Sequence, residues 1–273
     1  MELKGKTAIV TGSGRGIGEG IAMVLAREGA NVVVNSRKAE ECVDVVRKIV
    51  SSGGKAIAIG ADVSKKAEVA ALAAGTIKQF GAIDILVNNA GIESHPVLTM
   101  ELAEDAWDRV LNVNLKGTFL CCQAVIPQMM KQNKGRIINI GSTASIRIAF
   151  FGGVEYTASK HGQAGLCQHL AWELADSNIT VNTVCPGAVQ TPLMEQGTTP
   201  EYREMTVKRL IPLGRFSTIE DIGETVSFLA SDRAAMITGQ MIPVDGGALT
   251  GFGEDLRAVV RQRMTDLKSA AGH

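Results

Sequence analysis

Seven short apolar runs recur along the chain, each bounded by polar or glycine positions: Thr7–Val10, Asn31–Val34, Ala56–Ile59, Ile83–Asn88, Arg136–Ile140, Ile179–Val184 and Met241–Val244. They are rich in β-branched residues and mostly continuous, the pattern of strands buried on both faces. Between them lie stretches with apolar positions every three or four residues: Gly18–Glu28, Glu40–Ser51, Lys66–Phe80, Leu102–Met130, Val154–Ala175 and Ile219–Ala230. Strands alternating with helices predict parallel pairing, because a parallel neighbour needs a long crossover. The predicted class is α/β, a single-domain Rossmann fold with a doubly wound seven-stranded parallel sheet and helices on both faces.

One stretch breaks the rhythm. Gln190–Leu213 is polar, threonine-rich and punctuated by Pro192, Pro200 and Pro212. It follows a strand end, where ligands bind in open α/β sheets, and reads as a lid over a site, with a plain helical insertion as the alternative. With no linker, repeat or low-complexity tract, the expected division is a catalytic domain over 1–249, with its lid at about 190–213, and a C-terminal helical extension over 250–273. The extension carries Leu256, Val259, Val260, Met264 and Leu267 at helical spacing, suited to its own subunit or a neighbour.

Composition narrows the partners. Of 273 residues, 45% are hydrophobic and 21% charged, enough for a large buried core. Twenty-eight basic residues balance 28 acidic ones, which leaves no basic excess for nucleic acid or an anionic membrane. No apolar run is long enough to span a bilayer, and Met1–Lys6 lacks the features of a signal peptide, so a cytoplasmic location is expected. Cys42, Cys121, Cys122, Cys167 and Cys185 show no paired spacing and read as buried reduced thiols. His95, His161, His169 and His273 are scattered, without metal-ligand spacing, so no metal is expected.

The first candidate chemistry follows the first strand. Thr11-Gly12-Ser13-Gly14-Arg15-Gly16-Ile17-Gly18 leads directly into a helix. Glycines let the backbone turn tightly against a pyrophosphate, and the helix N-terminus adds amide donors and a favourable dipole. The spacing is G-x-x-x-G-x-G rather than G-x-G-x-x-G, and no Lys-Ser or Lys-Thr closes it as in a triphosphate loop. A free ribose 2′-hydroxyl would call for an acidic residue at the second strand's end. The sequence has Asn35-Ser36-Arg37-Lys38 there and no carboxylate until Glu40. Ser36 and Arg37, with Lys38 and Arg15, suit a 2′-phosphate, so NADP(H) is favoured, with NAD(H) as the alternative.

With these residues the chain resembles the short-chain dehydrogenase/reductase family, from about Gly5 to Gly247. The resemblance rests on the T-G-x-x-x-G-x-G turn, Asp62-Val63 after the third strand, Asn88-Asn89-Ala90-Gly91 after the fourth, Asn114, Ser142, and Tyr156 with Lys160 as Y-x-x-x-K. Pro186, Gly187, Val189 and Thr191 match the segment beside nicotinamide. The resemblance implies cofactor binding by Gly12, Ser13, Arg15, Gly16, Ile17, Gly18, Asp62, Val63, Asn89, Ala90 and Gly91. It further implies that Lys160 holds the ribose hydroxyls and that Asn114 positions a water relaying protons from Lys160. The interval from Ser142 to Tyr156 is about one residue longer than usual, with Ser145 as the alternative serine.

Tyr156 and Lys160, four apart on a predicted helix, share one face. A cation beside the phenol lowers its pKa, so Tyr156 is expected to act as base in alcohol oxidation and acid in ketone reduction, with Ser142 donating to the substrate oxygen. His95, Ile146, Ile148, Phe150, Phe151 and Val154, with Met194, Tyr202 and Met205 of the lid, are the candidate substrate wall, suited to a hydrophobic or cyclic secondary alcohol or ketone. The alternatives are a 3-oxoacyl thioester reductase and an NAD-linked alcohol dehydrogenase. An epimerase or dehydratase and a cofactor-sensing protein fit less well. By resemblance the assembly is a homotetramer paired through the helices Leu102–Met130 and Val154–Ala175.

Overall fold

The computed structural model describes residues 1–94, 97–149, 152–191, 194–195 and 198–251. Seven strands form one sheet: β1 (Thr7–Val10), β2 (Asn31–Ser36), β3 (Lys55–Gly60), β4 (Ile85–Asn88), β5 (Gly135–Ile140), β6 (Ile179–Pro186) and β7 (Met241–Val244). Their order is β3-β2-β1-β4-β5-β6-β7, and every neighbouring pair is parallel. Each predicted strand is present, with ends shifted by up to two residues.

Helices α1 (Gly16–Arg27), α2 (Val43–Ser51), α3 (Lys66–Phe80), α4 (Glu104–Leu111), α5 (Gly117–Gln132), α6 (Val154–Glu173), α7 (Pro200–Leu210) and α8 (Ile219–Ala230) fill the connections. Strand side chains alternate between two cores. Ala8, Val10, Val32, Val34, Ile85 and Val87 meet Ile21 and Leu25 of α1 and Ile222, Val226 and Leu229 of α8. Ile9, Val33, Leu86, Ile137 and Val181 face Leu72 of α3, Leu120, Val125 and Met129 of α5, and Leu170 of α6.

The single helix expected over Leu102–Met130 is divided. Leu102 and Ala103 are extended, α4 follows, and a π turn at Asn112–Lys116 joins it to α5. Apolar periodicity runs through this wider turn, so sequence alone shows no break. The stretch expected to be a lid contains α7, capped at its start by Thr199 Oγ1, which accepts from the Tyr202 amide at 3.2 Å. Pro192 lies outside the described residues, as do residues 252–273, most of the expected C-terminal helix. Among the described residues no helix is long and apolar enough to cross a membrane, and no cluster of three or more His, Cys, Asp or Glu forms a metal site. All five cysteines are free and buried.

Candidate active site

From β1 the chain winds outward through β2 and β3, and from β4 it winds the other way, so a crevice opens where β1 and β4 end. Two loops are tied together there. Thr11 Oγ1 accepts from the amides of Asn89 and Ala90, both at 3.1 Å. Asn89 Nδ2 donates to the carbonyls of Thr11 at 3.0 Å and Gly12 at 2.9 Å. Gly12 and Gly16 both have φ of +62°, which disfavours other residues. A Cβ on Gly12 would stand 2.8 Å from Ala90 Cα, whereas one on Gly16 would meet nothing within 4 Å.

α1 begins in this open space, and no side chain caps it. Uncapped amides, the helix dipole and room above Gly16 together fit a pyrophosphate, the anionic centre of a nicotinamide dinucleotide. Arg15 is exposed at the rim, and Ile17 packs against the core below. Gly18 is buried. Ser13, assigned to the cofactor from sequence, has a structural task instead. It is fully buried, its hydroxyl donates to the Val10 carbonyl at 2.6 Å, and it accepts from the Asn35 amide at 3.0 Å.

Beyond the turn, Ser36 ends β2, with Arg37 and Lys38 exposed after it. The absence of a carboxylate expected at this point is corrected by the fold. A 3-10 turn, Ala39–Cys42, brings Glu41 back so that Ser36 Oγ donates to its Oε2. Asp62 lies after β3, its Oδ1 accepting from Ser64 Oγ at 2.7 Å and from the Ser64 amide at 3.0 Å. Burial pushes Asp62 upward, but the Ser64 hydroxyl and amide, Lys65 and Arg37 outweigh it and hold the carboxyl below its usual range. Val63 is buried over Gly117 at the start of α5.

The other arm of the crevice holds the expected reactive group. Ser142, in extended backbone at the end of β5, caps a 3-10 turn and accepts from the Ala144 amide at 3.1 Å. Ser145 lies buried beneath it and accepts from the Ser142 amide at 3.3 Å, so of the two serines Ser142 is the one facing the crevice. The Ser142 hydroxyl is near enough to the Tyr156 phenol to lower its pKa. Lys160 is buried one turn along α6, 5.6 Å from the Tyr156 ring centroid, and donates to the Ile140 carbonyl at 2.9 Å.

Burial pushes Tyr156 up to about 12; the Ser142 hydroxyl pulls it down, and the Glu93 carboxylate pushes it further up. Burial pulls Lys160 down to about 8, opposed by Cys185 and Glu93. In the protein alone burial governs both groups, and Lys160 is not among the causes that set the Tyr156 pKa, so the lowering expected from it is not seen there.

Asn114 sits fully buried in the π turn. Its Oδ1 accepts from the Ile92 amide at 2.8 Å, and its Nδ2 donates to the Ile92 carbonyl and to Ser159 Oγ, each at 3.1 Å. Its carbonyl accepts from Thr118 Oγ1 at 2.7 Å and Gln163 Nε2 at 2.8 Å. These bonds tie the π turn to the loop after β4 and to α6. Gly91, exposed in that loop, lies beside Asn114 Oδ1.

Past β6, the Gly187 amide donates to the Val244 carbonyl at 3.1 Å, Val189 is buried, and Thr191 Oγ1 accepts from the Met194 amide at 3.2 Å. The candidate substrate wall is only partly assembled. Ile148 is 73% exposed and Val154 38% exposed, while Met194 and Tyr202 are half-buried. His95 and Phe151 lie outside the described residues, as does Phe150. Sequence reasoning missed Glu93 and Ser94, which belong to no motif. Ser94 Oγ accepts from the Gly153 amide at 2.9 Å and so pins the start of α6 beside the fourth-strand loop.

A family model described as enoyl-(acyl carrier protein) reductase matches residues 12–249. The 3-oxoacyl-(acyl-carrier-protein) reductase FabG of Staphylococcus aureus is 44% identical over 243 residues, 89% of this chain and 97% of the relative. The enzyme of the same name from Thermotoga maritima is 38% identical over 247 residues, 90% of this chain and 99% of its own. The crystal structure of a protein from Sinorhizobium meliloti 1021, assigned as a short-chain alcohol dehydrogenase, superposes with a TM-score of 0.86 at 38% identity. It covers 92% of this chain and 99% of its own.

Proposed function

The chain belongs to the short-chain dehydrogenase/reductase family and is an NAD(P)-dependent oxidoreductase acting on CH–OH groups, and within that activity we propose that it reduces the keto group of a 3-oxoacyl thioester with NADPH. The observation that carries the reading is the Ser142–Tyr156 hydroxyl pair at the crevice, with Tyr156 kept as a neutral phenol at physiological pH. That is the protonation state a reduction requires. The thioester class is supported by the relatives' names, which favour it over the hydrophobic or cyclic ketone expected from the pocket residues. The exposure of Ile148 also speaks against a closed apolar wall.

In this reading the bound cofactor supplies the hydride. Ser142 donates to the keto oxygen and holds it beside Tyr156. Tyr156 gives its proton to that oxygen as negative charge develops there. Lys160, cationic below about pH 8, is placed under the ring to stabilise the phenolate as the proton leaves. Asn114 acts by position, fixing the π turn against α6. Ser36 and Arg37 receive a 2′-phosphate, which favours NADPH over NADH.

The test is NADPH oxidation with acetoacetyl-CoA, compared with a panel of cyclic ketones. Turnover on the thioester is expected to dominate, and Tyr156→Phe is expected to lose about 10²–10⁴-fold. Turnover confined to the cyclic ketones would restore the carbonyl reductase reading.

A further inference from the structure

At the end of β2 the chain makes one 3-10 turn, Ala39–Cys42, and folds Glu41 back toward the strand it has just left. Two contacts fix it there. Ser36 Oγ donates to Glu41 Oε2. The main-chain carbonyl of Glu41 stands 2.6 Å from where a Cβ on Gly14 would lie, so Glu41 backs directly onto the glycine turn. Its main chain therefore lies against the glycine turn while its carboxylate is held at the end of β2, within reach of the charges of Arg37 and Lys38. The Ser36 hydroxyl, with Arg37 and Lys38, holds this carboxyl below its usual range, so it is ionised at neutral pH. Arg37 acts on Asp62 as well.

In a Rossmann fold the end of the second strand meets the adenosine ribose. A carboxylate there accepts from a free 2′-hydroxyl, whereas cations take a 2′-phosphate. This chain places both kinds of group on the same few residues. We infer that Glu41 is a specificity-determining residue that opposes Arg37, restraining the preference for NADPH and keeping NADH usable. The inference rests on the reading above that Ser36 and Arg37 receive the 2′-phosphate. Glu41 works against that phosphate in two ways: it occupies the Ser36 hydroxyl, and it sets a negative charge beside a dianion. Toward NADH the same oxygens are acceptors for the 2′-hydroxyl.

The experiment is calorimetric titration of the cofactor-free protein with NADPH and with NADH, for wild type, Glu41→Gln and Arg37→Ala. Gln keeps the size of Glu and still accepts from Ser36, so the comparison isolates the charge. Glu41→Gln is expected to tighten NADPH by about three- to tenfold while NADH stays level or weakens. The gain should shrink as salt is raised, which a purely structural effect would not do. Arg37→Ala should move the NADPH-to-NADH ratio the other way. A ratio unmoved in Glu41→Gln, with Arg37→Ala behaving as expected, overturns the role of Glu41 and leaves the phosphate pocket standing. A ratio moved by Glu41→Gln but not by Arg37→Ala removes Arg37 from the pocket and leaves Glu41 as the determinant. Glu41→Ala, read the same way, serves if the Gln variant does not fold.

Discussion

Glu93 belongs to no motif, yet its carboxylate acts on both groups of the proposed proton transfer. It adds to the upward push of burial on Tyr156 and opposes the downward pull of burial on Lys160. Replacing it with Gln removes a negative charge and lowers both pKa values. The sign for reduction follows directly. Tyr156 donates only while protonated, and Lys160 helps only while cationic, so activity falls as pH rises through either value. Glu93→Gln should therefore move the alkaline limb of kcat/KM to lower pH, by a few tenths of a unit because Glu93 is exposed. A pH profile of NADPH-dependent reduction that superposes on wild type would remove Glu93 from the site. Tyr156, Lys160 and Ser142 are legible in the sequence through the family resemblance, to which helical spacing and a strand end add a shared face and a place in the fold. Glu93, Ser94 and Glu41 are not, because each acquires its partners only when separate loops converge.

Helix α1 lies against α8 so closely that a Cβ on Gly223 would stand 2.7 Å from Val24 Cγ2, and one on Gly20 2.7 Å from Ile219 Cβ. Arg27 adds ion pairs to Glu220 and Glu224 across the same seam. Since α1 begins at the glycine turn, this packing sets where its uncapped amides point. Gly223→Leu should force the helices apart, costing about 1–3 kcal/mol in urea unfolding and weakening cofactor binding with it. Full stability together with full affinity would show that the seam yields without cost. The seven strands are legible because β-branched runs, glycine turns and helical periods all agree on one topology. The π turn is hidden, since one extra residue in a helical turn hardly disturbs apolar periodicity. Only the bonds of Asn114 to Ile92, Thr118 and Gln163 reveal why the helix widens there. Ser13 misleads for a related reason: a polar residue in a phosphate-type loop looks like a ligand donor, yet its hydroxyl joins the ends of β1 and β2.

Parallel strands all end on the same side, so the loops after β1, β2, β4, β5 and β6, which carry most of the described candidate groups, open on one side of the sheet. The opposite problem arises on the outer faces of α5 and α6. Phe119 is 45% exposed and Met130 50% exposed, eleven residues and about three turns apart on α5, and Trp172 on α6 is 80% exposed. Large apolar side chains exposed on α5 and α6 are costly in water and suit contact with another copy of the chain. A Cβ on Gly165, two turns before Trp172 on α6, would meet nothing within 4 Å, which leaves room for a helix to approach closely. We propose that this surface is one contact of the homotetramer expected from the family resemblance. Trp172→Asp places a charge on that surface without touching the buried core, so it should lower the sedimentation coefficient while leaving the thermal unfolding of the separated subunit cooperative. A monomer in the wild type at micromolar concentration would refute the tetramer outright. An unchanged tetramer in Trp172→Asp would instead move the contact away from the end of α6, and the exposed tryptophan would then need a different partner.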